Sequence, residues 1–305
     1  MTFAGAVGLI NCDLLFSGVP RLPSEGEEVF SEGFRVAFGG GVPAIMLSLS
    51  RLGVPARLGT YLGKDLFSDF ARGELDKSGV AWKNLYEGDG VPLTVTAVAI
   101  TKTDRTFLSS TAASRNSDKL PDMAYDIMRG AKVIRMGMSG ALKPVYERLK
   151  SEGATLVLDT GWDDDMSLAR YAPYLELADY YLPNRKEALF LTGESTVEGA
   201  AKVLSKYFDK TVVKLDGEGC YLLDEAGARV VSPLPDVRAL DATGAGDTFC
   251  AGFMYGLFHD YSFTDCARLG NVTGGLCVQE IGCVTRFIGE KELLSLLPSV
   301  KVAAS

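Results

Sequence analysis

Short apolar runs alternate with helix-period patterns along most of this chain, and that alternation limits it to a parallel sheet flanked by helices. Ala4–Ile10 reads as the first strand. Val42–Arg51 reads as a helix entered through Gly39-Gly40-Gly41 and stopped by Gly53. Strands follow at Ala56–Tyr61, Lys132–Met136, Thr155–Asp159 and Asp179–Leu182. Helical patterns at Leu66–Ser78, Met123–Arg129, Val145–Lys150 and Leu168–Leu177 lie between them. Lys186–Thr192 and Val197–Phe208 read as helices, and Thr211–Leu215, Cys220–Asp224 and Arg229–Ser232 as strands. The remainder is helical from Asp247, again over Phe263–Gln279, and over Lys291–Leu297; the tail Val302–Ser305 is expected to fray.

Two segments, about 14–37 and 92–112, break this rhythm. The first is rich in Gly, Pro and Glu, with a short alternating stretch near Val29–Val36. The second has a hairpin pattern, with Thr94–Ile100, a turn at Lys102–Asp104, then Thr106–Leu108. Either they are edge strands of the main sheet or they make a small sheet of their own, and the separate sheet is the expectation.

The run Asp241-Ala242-Thr243-Gly244-Ala245-Gly246-Asp247-Thr248-Phe249 carries the chemistry. Glycine tolerates a tight turn there, and the helix pattern that follows opens with N–H groups that lack intrahelical acceptors. Those groups and the helix dipole favour an anion. An acid at such a place repels a phosphate, unless Asp247 takes the proton from a hydroxyl that attacks it. The alternative is an ordinary first-turn acid behind a glycine turn. No Lys follows the glycines, so this is not a P-loop. Phe249 stands where the third Gly of a dinucleotide fingerprint belongs, which disfavours a nicotinamide oxidoreductase.

Composition narrows the partners. The 305 residues carry a net charge of −8 without basic runs, which argues against nucleic acid. An anionic ligand must then be held by local N–H groups and a metal. Six cysteines (12, 220, 250, 266, 277, 283) form no C-x-x-C pair, and no apolar stretch reaches 18 residues. A reducing cytosol and no membrane are expected. His259 is the single histidine, which excludes a multi-histidine metal site.

The 241–249 run resembles the C-terminal signature of the ribokinase-like (PfkB) carbohydrate kinases, D-x-x-G-A-G-D-x-F, and the similarity spans nearly the whole chain. The resemblance implies one domain over 1–305: a ribokinase-like three-layer αβα sandwich with a mostly parallel central sheet and a small β-sheet lid. It implies ATP-dependent phosphorylation of a sugar hydroxyl, with Asp247 as general base and Gly244, Ala245 and Gly246 as the anion hole. Gly8–Asp13 looks like the family's first strand and its end, so Asp13, with Asn11 beside it, is assigned to sugar hydroxyls; without the resemblance Asp13 reads as a strand-ending turn cap. Phe38-Gly39-Gly40-Gly41-Val42-Pro43-Ala44 resembles the first family signature, where glycines admit the sugar. The family's sugar-binding Asn falls on Ala44 and its Lys on Gly41, so ribose itself is a poor expectation.

Asn184-x-x-Glu187 looks like the motif that organises Mg²⁺ through water; its plain reading is a helix cap with a first-turn acid. Lys214, Gly217 and Gly219 fall where the family borders the nucleotide, and Lys214 reads either as a phosphate contact or as the partner of a surface acid. Asn271 falls in the helix flanking the adenine pocket. Asp241 and Thr243, with the turn Glu280-Ile281-Gly282-Cys283, match a candidate K⁺ site, with Arg286 nearby as a competing charge. The resemblance also implies a homodimer through the lid. The alternatives are a nucleoside or sugar-phosphate kinase of the same fold, or an inactive sugar-binding regulator.

Overall fold

The structure, a computed structural model, describes residues 2–110, 112–115, 117–280, 282 and 288–304. In chain order the strands are β1 (Ala4–Val7), β2 (Asn11–Ser17), β3 (Gly33–Gly39), β4 (Ala56–Thr60), β5 (Ala81–Asn84), β6 (Thr94–Ile100), β7 (Arg105–Ser109), β8 (Val133–Met136), β9 (Thr155–Leu158), β10 (Tyr180–Tyr181), β11 (Thr211–Lys214), β12 (Cys220–Asp224), β13 (Gly227–Val231) and β14 (Val302–Ala304). The helices are α1 (Gly41–Arg51), α2 (Leu66–Lys77), α3 (Leu120–Met128), α4 (Lys143–Ser151), α5 (Leu168–Leu175), α6 (Arg185–Thr192), α7 (Val197–Leu204), α8 (Ala245–Phe258), α9 (Phe263–Cys277) and α10 (Glu290–Leu296).

A parallel sheet in the order β10-β9-β8-β1-β4-β5 forms the middle layer. Its central strands are buried on both faces, which is why they read as unbroken apolar runs. Side chains alternate between two cores: Val157 joins the one built with α1, α8 and α9, whereas Leu156 and Leu158 join the one built with α3, α4 and α5. Arg135 interrupts this pattern as a buried charge within β8. The small residues of α8 let α9 close on it; a Cβ at Gly256 would lie 2.7 Å from Cys266 Sγ.

After α7 only β11 meets the central sheet in parallel, through a single bridge, and the strands that follow do not continue the parallel order that the alternation suggested. With β11 they make an antiparallel meander, β11-β12-β13-β14. It joins the parallel sheet through an Asn184–Lys214 bridge, where the Lys214 N–H donates to Pro183 O. The expected fraying of the tail is corrected here: Val302–Ala304 pairs with β13, while Ser305 lies outside the described residues. The first predicted strand also divides, ending at Val7 before β2 begins at Asn11.

The two rhythm-breaking segments make a separate four-stranded sheet, β3-β2-β6-β7, and not edge strands of the main one. β2 runs antiparallel to β3 and parallel to β6, and β6 antiparallel to β7. Among the described residues it shares no ladder with the central sheet. Phe34, Phe107 and Leu108 stand exposed on it.

Candidate active site

α8 begins at Gly244, whose φ of 80° places it in the left-handed region that favours glycine. Thr243 N–H donates to Asp241 Oδ1 at 2.9 Å and shapes the approach to that turn. The Ala245 N–H donates to Ala242 O and so is not available to a ligand, contrary to its assignment to the anion hole. The backbone N–H groups of Gly244, Gly246 and Asp247 have no intramolecular acceptor among the described residues. The N–H groups open to an anion are thus those of Gly244, Gly246 and Asp247 among the described residues. Gly246 is not in a positive-φ conformation; a Cβ there would lie 3.2 Å from Lys214 Nζ.

Asp247, in the first turn of α8, faces the Gly39–Gly41 loop. Each glycine of that loop has a steric reason. A Cβ at Gly41 would strike Asp247 Oδ1, one at Gly40 (φ 107°) would lie 2.5 Å from Leu9 O, and one at Gly39 would lie 2.8 Å from Asp13 Oδ2. Ala44, at the family's Asn position, is fully buried in α1. Burial, with the Asp159 charge adding to it, pushes the Asp247 carboxyl up from 3.8 to about 6, against the pull of Lys214 and Arg135. Above that pH it is an ionised base.

Beneath Asp247 lies a cluster of buried charge. Lys214, at the end of β11, approaches Asp159 at 3.4 Å. Burial disfavours its charge, but Asp159 and then Glu187 outweigh that and hold its pKa above the ordinary value. Lys214 thus pairs with a buried acid and not a surface one. Asn184 and Glu187 form a reciprocal capping box at the start of α6. The plain reading of this motif is realised, and both residues nevertheless face the ligand space. Burial raises the Glu187 pKa, and the Asn184 N–H and Lys214 oppose the rise.

A cavity of about 720 Å³ joins these parts. Asn11, Gly40, Gly41, Gly246 and Asp247 line it together with Asn184, Glu187, Lys214 and Asp159. Gly217, Gly219 and Asn271 do not. Asn271 instead donates to Val231 O and Ser232 O, clamping α9 to the end of β13. Asp13, on the same side of β2 as Asn11, opens onto a second cavity of about 320 Å³ shared with Asp241, Thr243 and Arg105. Burial raises the Asp13 pKa.

Arg105 of β7 reaches down from the small sheet. Its Nη1 donates to Asp241 Oδ1 at 2.9 Å and to Thr243 Oγ1 at 2.6 Å, while Gly282 N–H donates to Asp241 Oδ2 at 3.0 Å. Asp241 is nearly fully buried, which alone would raise its pKa, yet these donors hold it below the ordinary value. A guanidinium and two N–H groups already occupy this carboxylate, so the residues do not fit a K⁺ ion as well. Ile281, Cys283 and Arg286 lie outside the described residues. For Mg²⁺, no group of three or more metal-ligating side chains occurs among the described residues. Asp159 and Glu187 fit a metal held chiefly by nucleotide phosphates and water.

Sequence reasoning missed Arg105, Arg135, Asp159, Tyr61, Tyr146 and Arg115, the last five of which line the large cavity. A signal existed for Arg135, an arginine inside the apolar run Val133–Met136.

The sequence profile of the pfkB family of carbohydrate kinases matches residues 2–288. The ribokinase of Lactococcus lactis subsp. lactis is 26% identical over 291 residues, covering 92% of this chain and 92% of that protein. In three dimensions the chain is similar to Arabidopsis thaliana ribokinase complexed with ribose and ATP, with a TM-score of 0.85 at 24% identity over 97% of this chain and 99% of that one. It is also similar to Escherichia coli phosphofructokinase-2 in complex with potassium, with a TM-score of 0.80 at 18% identity over 98% and 99% of the two chains. These likenesses show a ribokinase-like fold.

Proposed function

Because this chain belongs to the pfkB family of carbohydrate kinases and is a sugar kinase, we propose that it transfers the γ-phosphoryl group of ATP to a sugar hydroxyl at the 720 Å³ cavity. Asp247 accepts the hydroxyl proton as the sugar oxygen bonds to phosphorus and the bond to the bridging oxygen breaks, releasing ADP. A positioned base of this kind contributes about 10²–10⁴-fold. The N–H groups of Gly244, Gly246 and Asp247 donate to the phosphoryl oxygens where charge develops. Lys214 and Arg135 place fixed positive charge next to them. Asp159 and Glu187 would hold Mg²⁺ through water, and the ion would supply neutralising charge to the nucleotide phosphates. The observation that carries this reading is the convergence of a buried carboxylate and unpaired N–H groups on one cavity, with Gly41 leaving room for both.

In the same reading Asn11 and Asp13 take sugar hydroxyls, and the small sheet is a lid that excludes water. Arg105 supplies at Asp241 the charge that a monovalent cation supplies elsewhere. The five cysteines among the described residues are buried and free of disulfides, which suits a reducing cytosol. No helix among the described residues is long and apolar enough to cross a membrane. An intact Asp247 weighs against an inactive sugar-binding regulator. The test is sugar-dependent ADP formation with ATP and Mg²⁺ across hexoses, pentoses, sugar acids, sugar phosphates and nucleosides. ADP formation with a sugar supports the reading, and none with any member contradicts it.

A further inference from the structure

One wall of the large cavity is not used by the phosphoryl chemistry. It carries Arg115, Tyr61, Tyr146 and Arg135. All four line the same cavity, with Arg115 and Tyr146 near enough to Tyr61, and Arg135 near enough to Tyr146, for their charges to act on those phenols. Arg115 is fixed by a 2.7 Å bond from Nη1 to Pro92 O, with its guanidinium carbon 5.9 Å from the Tyr61 ring centre. Arg135 donates from Nη1 to Met136 O at 3.0 Å and from Nη2 to Asp159 O. Its Nε is buried without a partner. Neither arginine lies within 4.0 Å of a carboxylate among the described residues. Tyr61 is buried at 7% exposure, and its hydroxyl has no partner among the described residues. The Tyr146 hydroxyl accepts from Gly137 N–H at 3.3 Å and keeps its own proton to donate.

A buried guanidinium, Arg135, and a half-buried one, Arg115, whose hydrogen bonds among the described residues go only to backbone carbonyls, are costly unless an anion compensates them. Lys214, the other cation on this cavity, has Asp159; these two have nothing of the kind. A neutral sugar leaves the charge unanswered, whereas a carboxylate or phosphate takes charge-assisted bonds from both arginines and accepts from the Tyr61 phenol. Arg135 also acts on Asp247, so it stands between this wall and the base. From this geometry we propose that the sugar substrate carries an anionic group, held by Arg115, Tyr61 and Arg135, with the fully buried Tyr146 behind them, while its reacting hydroxyl faces Asp247. The proposal rests on the sugar-kinase reading and deepens it.

The test compares kcat/KM for matched neutral and anionic acceptors: D-glucose, D-gluconate and 2-keto-3-deoxy-D-gluconate, and D-fructose with D-fructose 1-phosphate. At least one anionic acceptor should exceed every neutral one by about 10²-fold, because a site built for a charged partner rejects the analogue that lacks it. The acid and phosphate arms separate the two sources of the charge. Arg115→Gln should weaken that acceptor by about tenfold or more, in KM rather than kcat, with Tyr61→Phe giving a smaller loss of the same kind. If neutral sugars turn over best, the proposal is overturned while the sugar-kinase reading stands. If no acceptor yields ADP, that reading fails, and calorimetric titration with D-gluconate and D-fructose 1-phosphate decides this one. Binding to wild type that Arg115→Gln weakens supports it, and absent or equal binding overturns it.

Discussion

A carboxylate held near the start of a helix, among buried acids and cations, has two measurable consequences. The first is kinetic. With Asp247 pushed up to about 6, kcat/KM should fall on the acid side of that pH as the base is protonated. A profile flat down to pH 5 would remove Asp247 as the titrating base. The second is thermodynamic. A folded-state pKa raised above 3.8 means stability present at low pH is lost as pH rises through about 6. Asp247→Asn should therefore raise Tm at pH 8, by the equivalent of roughly 1–3 kcal/mol, and should change little at pH 3.5. The 241–249 run made Asp247 legible because its turn, acid and helix are contiguous in sequence. Arg105 was not legible: it meets Asp241 across 136 residues, and nothing local marks it. Its charge should make activity indifferent to K⁺, while Arg105→Ala should lose activity by about tenfold or more, since it leaves a buried carboxylate without the guanidinium paired to it. Wild-type activity that needs K⁺ would contradict this role.

At the scale of elements, the approach of α1 to α8 fixes the site, and glycine makes that approach possible. Gly41→Ala should abolish most transfer by displacing Asp247, with far-ultraviolet circular dichroism unchanged, because the clash falls on a carboxylate and not on the core. Retained turnover would mean that the loop does not set the base. The buried parallel strands were legible because their apolar runs are bounded by turn residues. β5 and β14 were not. Both lie at sheet edges, where Ala81-Trp82-Lys83-Asn84 and Val302-Ala303-Ala304 lack an inward apolar face. β2 escaped as well, since Asn11-Cys12-Asp13-Leu14-Leu15-Phe16-Ser17 does not alternate cleanly. The sequence pattern placed Asn271 and Gly219 by analogy at the nucleotide, whereas their hydrogen bonds and packing tie α9 and β12 to the end of β13.

The whole molecule is a layered base under a small mixed sheet whose face turned away from the Asp13 cavity carries Phe34 and Leu108 at 59% and 77% exposure. An apolar surface of that kind is where a second copy would pack, so the chain should sediment as a dimer and Leu108→Glu should shift it to monomer. A monomeric wild type at all concentrations would refute the lid-mediated pair. Arg115, Arg135 and Asp247 line one cavity, and the Arg135 charge acts on Asp247. The most direct test of the central claim is single-turnover phosphoryl transfer by Asp247→Asn, measured alongside ATP binding. The account predicts a fall of about 10²-fold or more in the transfer rate with ATP affinity nearly unchanged; transfer at close to the wild-type rate would contradict it.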